Sequence, residues 1–167
     1  MQTFLPYYDI VKSLECLDDK RLGKQRSEAD HIYRIVKLGL ESRWKRHPTV
    51  LMWKGYGDAI AVYRNMALRV WADRGFRNIK LKMVPIPSTV SWPSWIGDER
   101  FHASHRSNLL RKKPEWYGRY NWTEPPDLPY FWPTKEGYAI GRVAQWIEHP
   151  VPNREVWGFE SLRARTE

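Results

Sequence analysis

Cysteine is nearly absent: Cys16 stands alone in 167 residues. One thiol excludes an intramolecular disulfide and any zinc site built on paired cysteines. Long apolar runs are missing too, and no stretch approaches the ~20 residues that a membrane-spanning helix needs. The start, Met1 to Pro6, has neither the basic residues nor the apolar core of a signal peptide. There is no internal repeat, no low-complexity block and no glycine-rich phosphate loop. No Gly-x-Ser-x-Gly elbow and no Ser/His/Asp arrangement is visible. Strong alternation of the strand type is absent throughout. What remains is an intracellular, cytoplasmic protein with no membrane partner.

What is present is cationic and aromatic. Lys plus Arg number 28 against 19 Asp plus Glu, a net charge of +9. With signs mixed along the chain, that surplus points to a polyanionic partner and not to a disordered basic tail. Hydrophobic residues make up 42% and aromatics 14%, with ten Trp and nine Tyr. This is enough for a packed core with flat side chains left over.

The spacing predicts an all-α fold: a compact bundle of about three main helices with long ordered loops and an irregular C-terminal tail. Pro6 keeps residues 1–8 extended. Asp9 caps a short helix over 10–16, and Asp18 or Asp19 caps a longer one that Gly39 stops after Leu38. Leu22, Ala29, Ile32, Tyr33 and Val36 give that helix one buried stripe. His47-Pro48 reads as a helix entry. Gly55 and Gly57 interrupt the helical pattern that continues to Arg74, and Asp58 restarts it. Residues 76–96 form a loop docked by Trp92 and Trp95. Asp98 or Ser104 caps a helix over roughly 99–113, ended by Pro114. The four prolines of 124–133 suit an extended wrap or a linker. The division expected is a helical domain over 1–122 and a wrap and tail over 123–167.

Three constellations carry chemistry. On the first long helix, Lys20, Arg21, Lys24 and Arg26 crowd together. Arg21, Lys24, Glu28 and His31 share one face at spacings of three and four. A single acid among cations that could bind phosphate is kept ionised by them. The same spacing also fits a solvated face with Lys24–Glu28 and Arg21–Glu28 ion pairs. The second constellation is His102-x-x-His105-Arg106 with Arg111-Lys112-Lys113. Two histidines three apart, with Asp98 before them, could share a metal, but phosphate contact or capping fits better. The third is the run from Trp116-Tyr117 through Arg119 to Trp122. It suits stacking on bases beside phosphates, or equally a strap packed on the helices.

The segment Leu17-Asp18-Asp19-Lys20-Arg21-Leu22-Gly23-Lys24-Gln25-Arg26-Ser27-Glu28 resembles the catalytic helix of the pyrimidine dimer DNA glycosylase family. Three blocks are similar in the same order: His47 to Leu51, Arg74 to Ile79, and Lys113 to Tyr120. The likeness spans about 1–122, and its particular form is similar to a branch found in actinobacteria and their phages. The resemblance implies a compact helical enzyme, metal-free and without cofactor, acting as a monomer on damaged double-stranded DNA in a bacterial or phage-infected cell. It implies that an N-terminal α-amine attacks the sugar C1′, releases a damaged or modified pyrimidine and nicks the strand by β-elimination. By position Glu28 matches the family's essential glutamate, and Met1 carries the amine because Gln2 disfavours its removal. An α-amine, with an ordinary pKa of about 7.7–8.0, is a better nucleophile at neutral pH than an ordinary lysine. Lys20 and Lys24 are the alternative amines. The DNA-facing set is Lys20, Arg21, Lys24, Arg26, His31 and His47, with a second patch of Arg106, Arg111, Lys112, Lys113, Trp116, Tyr117 and Arg119. The alternatives are a non-catalytic helical DNA-binding protein and an enzyme of modified phage nucleotides. Finally, 141–161 reads like a tRNA gene translated in frame, with 143–149 able to form a short helix.

Overall fold

The computed structural model describes residues 1–134 and 137–139. Capping starts the helices where the sequence places them. Asp9 accepts the Lys12 N–H at 2.9 Å and opens α1, Ile10–Glu15. Asp18 accepts the Arg21 N–H at 3.2 Å and opens α2, Asp19–Leu38. Gly39 ends α2 at φ 73°, a left-handed conformation that costs glycine nothing. Leu22, Ala29, Ile32 and Ile35 are buried along α2. Tyr33 and Val36 lie half-buried at the edge of that stripe.

His47 caps α3, Pro48–Trp53, through Nδ1, which accepts the Thr49 N–H at 3.2 Å. The break at Gly55 separates α3 from α4, Gly57–Asp73, which begins one residue before the expected Asp58. Every position of α4 from Ala59 to Leu68 is buried, so this helix is the centre of the bundle. It packs mainly against α2. Close approach is possible because a Cβ on Gly23 would lie 3.0 Å from the Trp71 ring.

The loop from 76 to 96 is pinned by α4. Arg64 Nη1 donates to Lys82 O at 2.8 Å, and the Asn65 amide exchanges hydrogen bonds with Val84. Trp95 is buried and donates to Met52 O at 3.1 Å. Asp98 then caps α5, Glu99–Lys112. Pro114 stops α5 and also opens the short α6, Pro114–Tyr117. Residues 124–131 wrap over α5, where Ser104, Ser107 and Asn108 bond the backbone of Phe131 and Leu128.

The fold is all-α in its architecture, with α2, α4 and α5 the long helices. The strand reading needs one addition. A hairpin of β1, Trp132–Thr134, and β2, Gly137–Ala139, pairs antiparallel with Trp132 opposite Ala139. Three residues per strand are too few to show alternation in the sequence. No helix among the described residues is long and apolar enough to cross a membrane. The tRNA-like reading of 141–161, and the short helix at 143–149, lie outside the described residues.

Candidate active site

An extended arm running into a helical core has no ladder to satisfy its backbone, so side chains must do it. Thr49 Oγ1 donates to Met1 O at 3.1 Å. Glu28 Oε2 accepts the Gln2 N–H at 3.0 Å. Gln25 Nε2 donates to Gln2 O at 3.0 Å, and Gln25 Oε1 accepts the Phe4 N–H at 2.9 Å. The Tyr63 hydroxyl donates to Gln25 Oε1 at 2.6 Å and sits 2.9 Å from Phe4 O. Burial holds the Tyr63 proton on far above its ordinary range. His105 Nδ1 accepts the Leu5 N–H at 2.9 Å, and His102 Nδ1 lies 2.7 Å from Leu5 O. Arg106 Nη1 donates to Pro6 O at 2.8 Å. Helices α2 to α5 therefore hold the chain start in one place.

The arm ends beside Glu28. The Met1 nitrogen lies 3.9 Å from Glu28 Oε1, and Lys24 Nζ lies 3.5 Å from the same oxygen. The two residues differ in environment: the Met1 side chain is 7% exposed and that of Lys24 69%. Glu28 itself is 13% exposed. One carboxylate thus lies near both the α-amine of Met1 and the side-chain amine of the solvated Lys24. It can move a proton and offset a developing positive charge.

Gln25 and Tyr63 were not singled out from sequence. Gln25 is buried, and its amide also approaches Glu28 Oε2 at 3.5 Å. It thus ties the arm to the carboxylate. Its signal was its position, three residues after Leu22 and four before Ala29, a polar side chain inside an apolar stripe.

The cations divide between two sides of α2. Arg21 and Lys24 lie on the face of Glu28. Arg21 Nη1 also bonds Asp18 Oδ2 at 2.6 Å. Asp18 is partly desolvated, but hydrogen bonds from Arg21 and Tyr117 win and hold its carboxyl below the usual range. Partial desolvation and then the charges of Arg21, Arg111 and Lys24 lower the Lys112 amine, although its side chain is largely in solvent, so these four cations are near enough to act on one another. Lys20, Arg111, Lys112 and Arg119 are exposed and Lys113 is half-buried. His31 Nε2 lies 3.0 Å from Ser42 Oγ.

Three side chains of the expected DNA set are turned elsewhere. Arg26 is about 200° around the helix from Glu28. It packs over Trp71 at 4.1 Å and bonds Asn78 Oδ1 at 3.2 Å. Arg106 is buried between Glu124, Glu99 and Pro6 O. Tyr117 is fully buried, its hydroxyl donating to Asp18 Oδ2 at 2.7 Å. Trp116 donates to Cys16 O at 2.9 Å and is half-buried, with Arg119 3.8 Å over its ring. The strap alternative therefore describes Trp116 and Tyr117.

His102 and His105 hold the arm, not a metal. His102 Nε2 accepts the Gly97 N–H at 3.0 Å, which leaves Nδ1–H to donate to Leu5 O. Among the described residues no group of three or more His, Cys, Asp or Glu could hold a metal ion. Burial lowers the pKa of both rings, and for His105 the neighbouring His102 and Arg106 lower it further. A histidine kept neutral in the fold but free to charge when unfolded stabilises fully above its ordinary value of ~6.5. That stability is lost as pH falls below it, by up to about 1.4 kcal/mol per pH unit for each ring. Urea midpoints taken at steps from pH 7.5 to 5 are expected to fall steadily below about pH 6.5. In the double variant His102→Gln with His105→Gln the slope should flatten.

Comparison with known families follows the same geometry. The family model described as pyrimidine dimer DNA glycosylase matches residues 1–83. No curated protein and no solved structure matches the chain. The matched segment contains Met1, Glu28, Gln25, His47 and the α2–α4 pair that positions them. Through that segment the chain belongs to the pyrimidine dimer DNA glycosylase family.

Proposed function

We propose that this protein is a DNA N-glycosylase with AP lyase activity on damaged or modified pyrimidines in duplex DNA. The Met1 α-amine is the nucleophile and Glu28 the essential carboxylate. One observation carries the reading: the Met1 nitrogen is held 3.9 Å from Glu28 Oε1. The amine attacks the sugar C1′ and the C1′–N bond breaks, the base leaving with a proton. The C1′–O4′ bond then opens, O4′ taking up a proton as the nitrogen loses one, which gives a protonated imine at C1′; removal of a C2′ proton then breaks the C3′–O bond and expels the 3′ phosphate. Glu28 faces the positive charge that grows on the sugar and can relay the protons. The convergence of Arg21, Lys24, Arg111 and Lys112 supports contact with phosphates on the same side. A base inside a duplex is out of reach of such a site, so the target nucleotide must be extruded.

The test is to incubate the full chain with an abasic duplex and borohydride, which reduces any imine to a stable adduct. A crosslink on the peptide beginning at Met1 is expected, lost when the terminus is acetylated. A crosslink on Lys24 would overturn the choice of amine. No crosslink at all, with no nicking, would remove the enzymatic reading.

A further inference from the structure

Residues far beyond the matched segment also reach the chain start. The Tyr130 hydroxyl feels both Gln2 and Glu28, and burial pushes its pKa up to about 12. The Tyr130 ring lies 5.5 Å from that of Trp132. Trp132 in turn meets His47 edge-on at 6.3 Å, and His47 meets Trp44 at 5.2 Å. His47 is bonded through the Thr49 N–H to the residue whose hydroxyl holds Met1 O. Four rings from two separate parts of the chain, 44–47 and 130–132, thus line up past Met1 and Gln2. The α-amine and Glu28 both act electrostatically on His47, and Glu28 acts on Tyr130. Burial and the α-amine together lower the His47 pKa, so its ring stays neutral.

None of the four is fully buried: Trp44, His47, Tyr130 and Trp132 each keep part of their surface open to solvent. Part of each ring is therefore left uncovered, although Trp44, Tyr130 and Trp132 also pack on the core. The chemistry supplies the complement. A base is joined directly to C1′, so when C1′ is at the amine the base is only a few bond lengths from it. A planar base in that position gains from aromatic faces whatever its sequence context.

We propose that Trp44, His47, Tyr130 and Trp132 form an aromatic wall that takes the planar base of the target nucleotide beside Met1 and Glu28. The inference rests on the glycosylase reading above. It makes 124–134 part of the substrate site, and it assigns the wall to the base and not to the sugar or phosphate.

An abasic substrate has the sugar and the phosphates but no base, which separates the two ideas. Borohydride-trapping rates are measured on two duplexes of one sequence, one with an abasic site and one with a thymine dimer. In Trp132→Ala the ratio of dimer rate to abasic rate is expected to fall about tenfold or more, the size of one lost stacking partner. Trp132→Phe should restore most of the ratio. Trp44→Ala, on a different part of the chain, should lower the ratio in the same direction and guards against a folding defect in one variant. Equal losses on both substrates would make the wall structural and overturn the inference, as would a ratio unchanged in both alanine variants. A wild-type protein that forms no adduct even on abasic DNA removes the glycosylase reading, and this one with it.

Discussion

Glu28→Gln is expected to lower the trapping and nicking rates by about 10²–10⁴-fold, the range for loss of a positioned acid–base group. The substitution keeps the volume, and the amide oxygen can still accept the Gln2 N–H that Glu28 Oε2 accepts at 3.0 Å. The arm should therefore stay in place, so the loss is chemical. What disappears is the negative charge facing the Met1 nitrogen at 3.9 Å and Lys24 Nζ at 3.5 Å. If Glu28 served only as a partner in an exposed ion pair, its neutralisation would change stability by less than about 1 kcal/mol and leave the rate alone. Single-turnover rates on an abasic duplex, with far-UV circular dichroism to check the fold, decide between these outcomes. A Gln variant within a few-fold of wild type ends the catalytic role of the carboxylate. Affinity measured on undamaged duplex should change little or rise slightly, since one negative charge has left a cationic face.

The parts legible in the sequence are those set by neighbours a few residues away. Asp9, Asp18, His47 and Asp98 each cap the helix that follows, because a cap bonds an N–H two or three residues on. The shared face of Arg21, Lys24 and Glu28 follows from the helical repeat alone. The same arithmetic sets Arg26 on the opposite side, where Trp71 takes it. What was not legible depends on partners about 100 positions apart. His102, His105 and Arg106 look like a basic or metal-binding run, yet each bonds the backbone of Leu5 or Pro6. Nothing local separates a histidine that accepts a distant N–H from one that binds phosphate. Tyr117 is similar: its role is fixed by Asp18, 99 residues away. The hairpin from 132 to 139 is too short for a pattern, so the reach of Trp132 to His47 had no sequence signal.

Arg106→Ala is expected to have the largest effect on stability, a loss of about 3–5 kcal/mol, the cost of breaking a buried ion pair from one side. For a domain of this length that is a drop on the order of 10 °C in Tm. The side chain is 10% exposed and joins three parts of the chain. Nε donates to Glu124 Oε1 at 2.7 Å on the wrap, Nη1 donates to Pro6 O at 2.8 Å on the arm, and Nη2 meets Glu99 at the start of α5. Burial alone would lower the guanidinium pKa, but the two carboxylates outweigh it and the net shift is upward. Removing the cation strands Glu124, which is 12% exposed and whose Oε2 already has no partner. It also leaves the Pro6 carbonyl unpaired. Glu99 adds little, because at 59% exposure water replaces its partner. The pairing of Arg106→Met with Glu124→Leu removes both buried charges and should recover much of the lost stability, although Pro6 O stays unbonded. The recovery need not extend to activity. Pro6 is five residues from the Met1 amine, and the arm between them has no helix or strand of its own. At a temperature where both forms are fully folded, the double variant is expected to keep a reduced trapping rate while its unfolding midpoint returns toward wild type. If rate and midpoint recover together, the bond to Pro6 only supports the fold and does not position the amine.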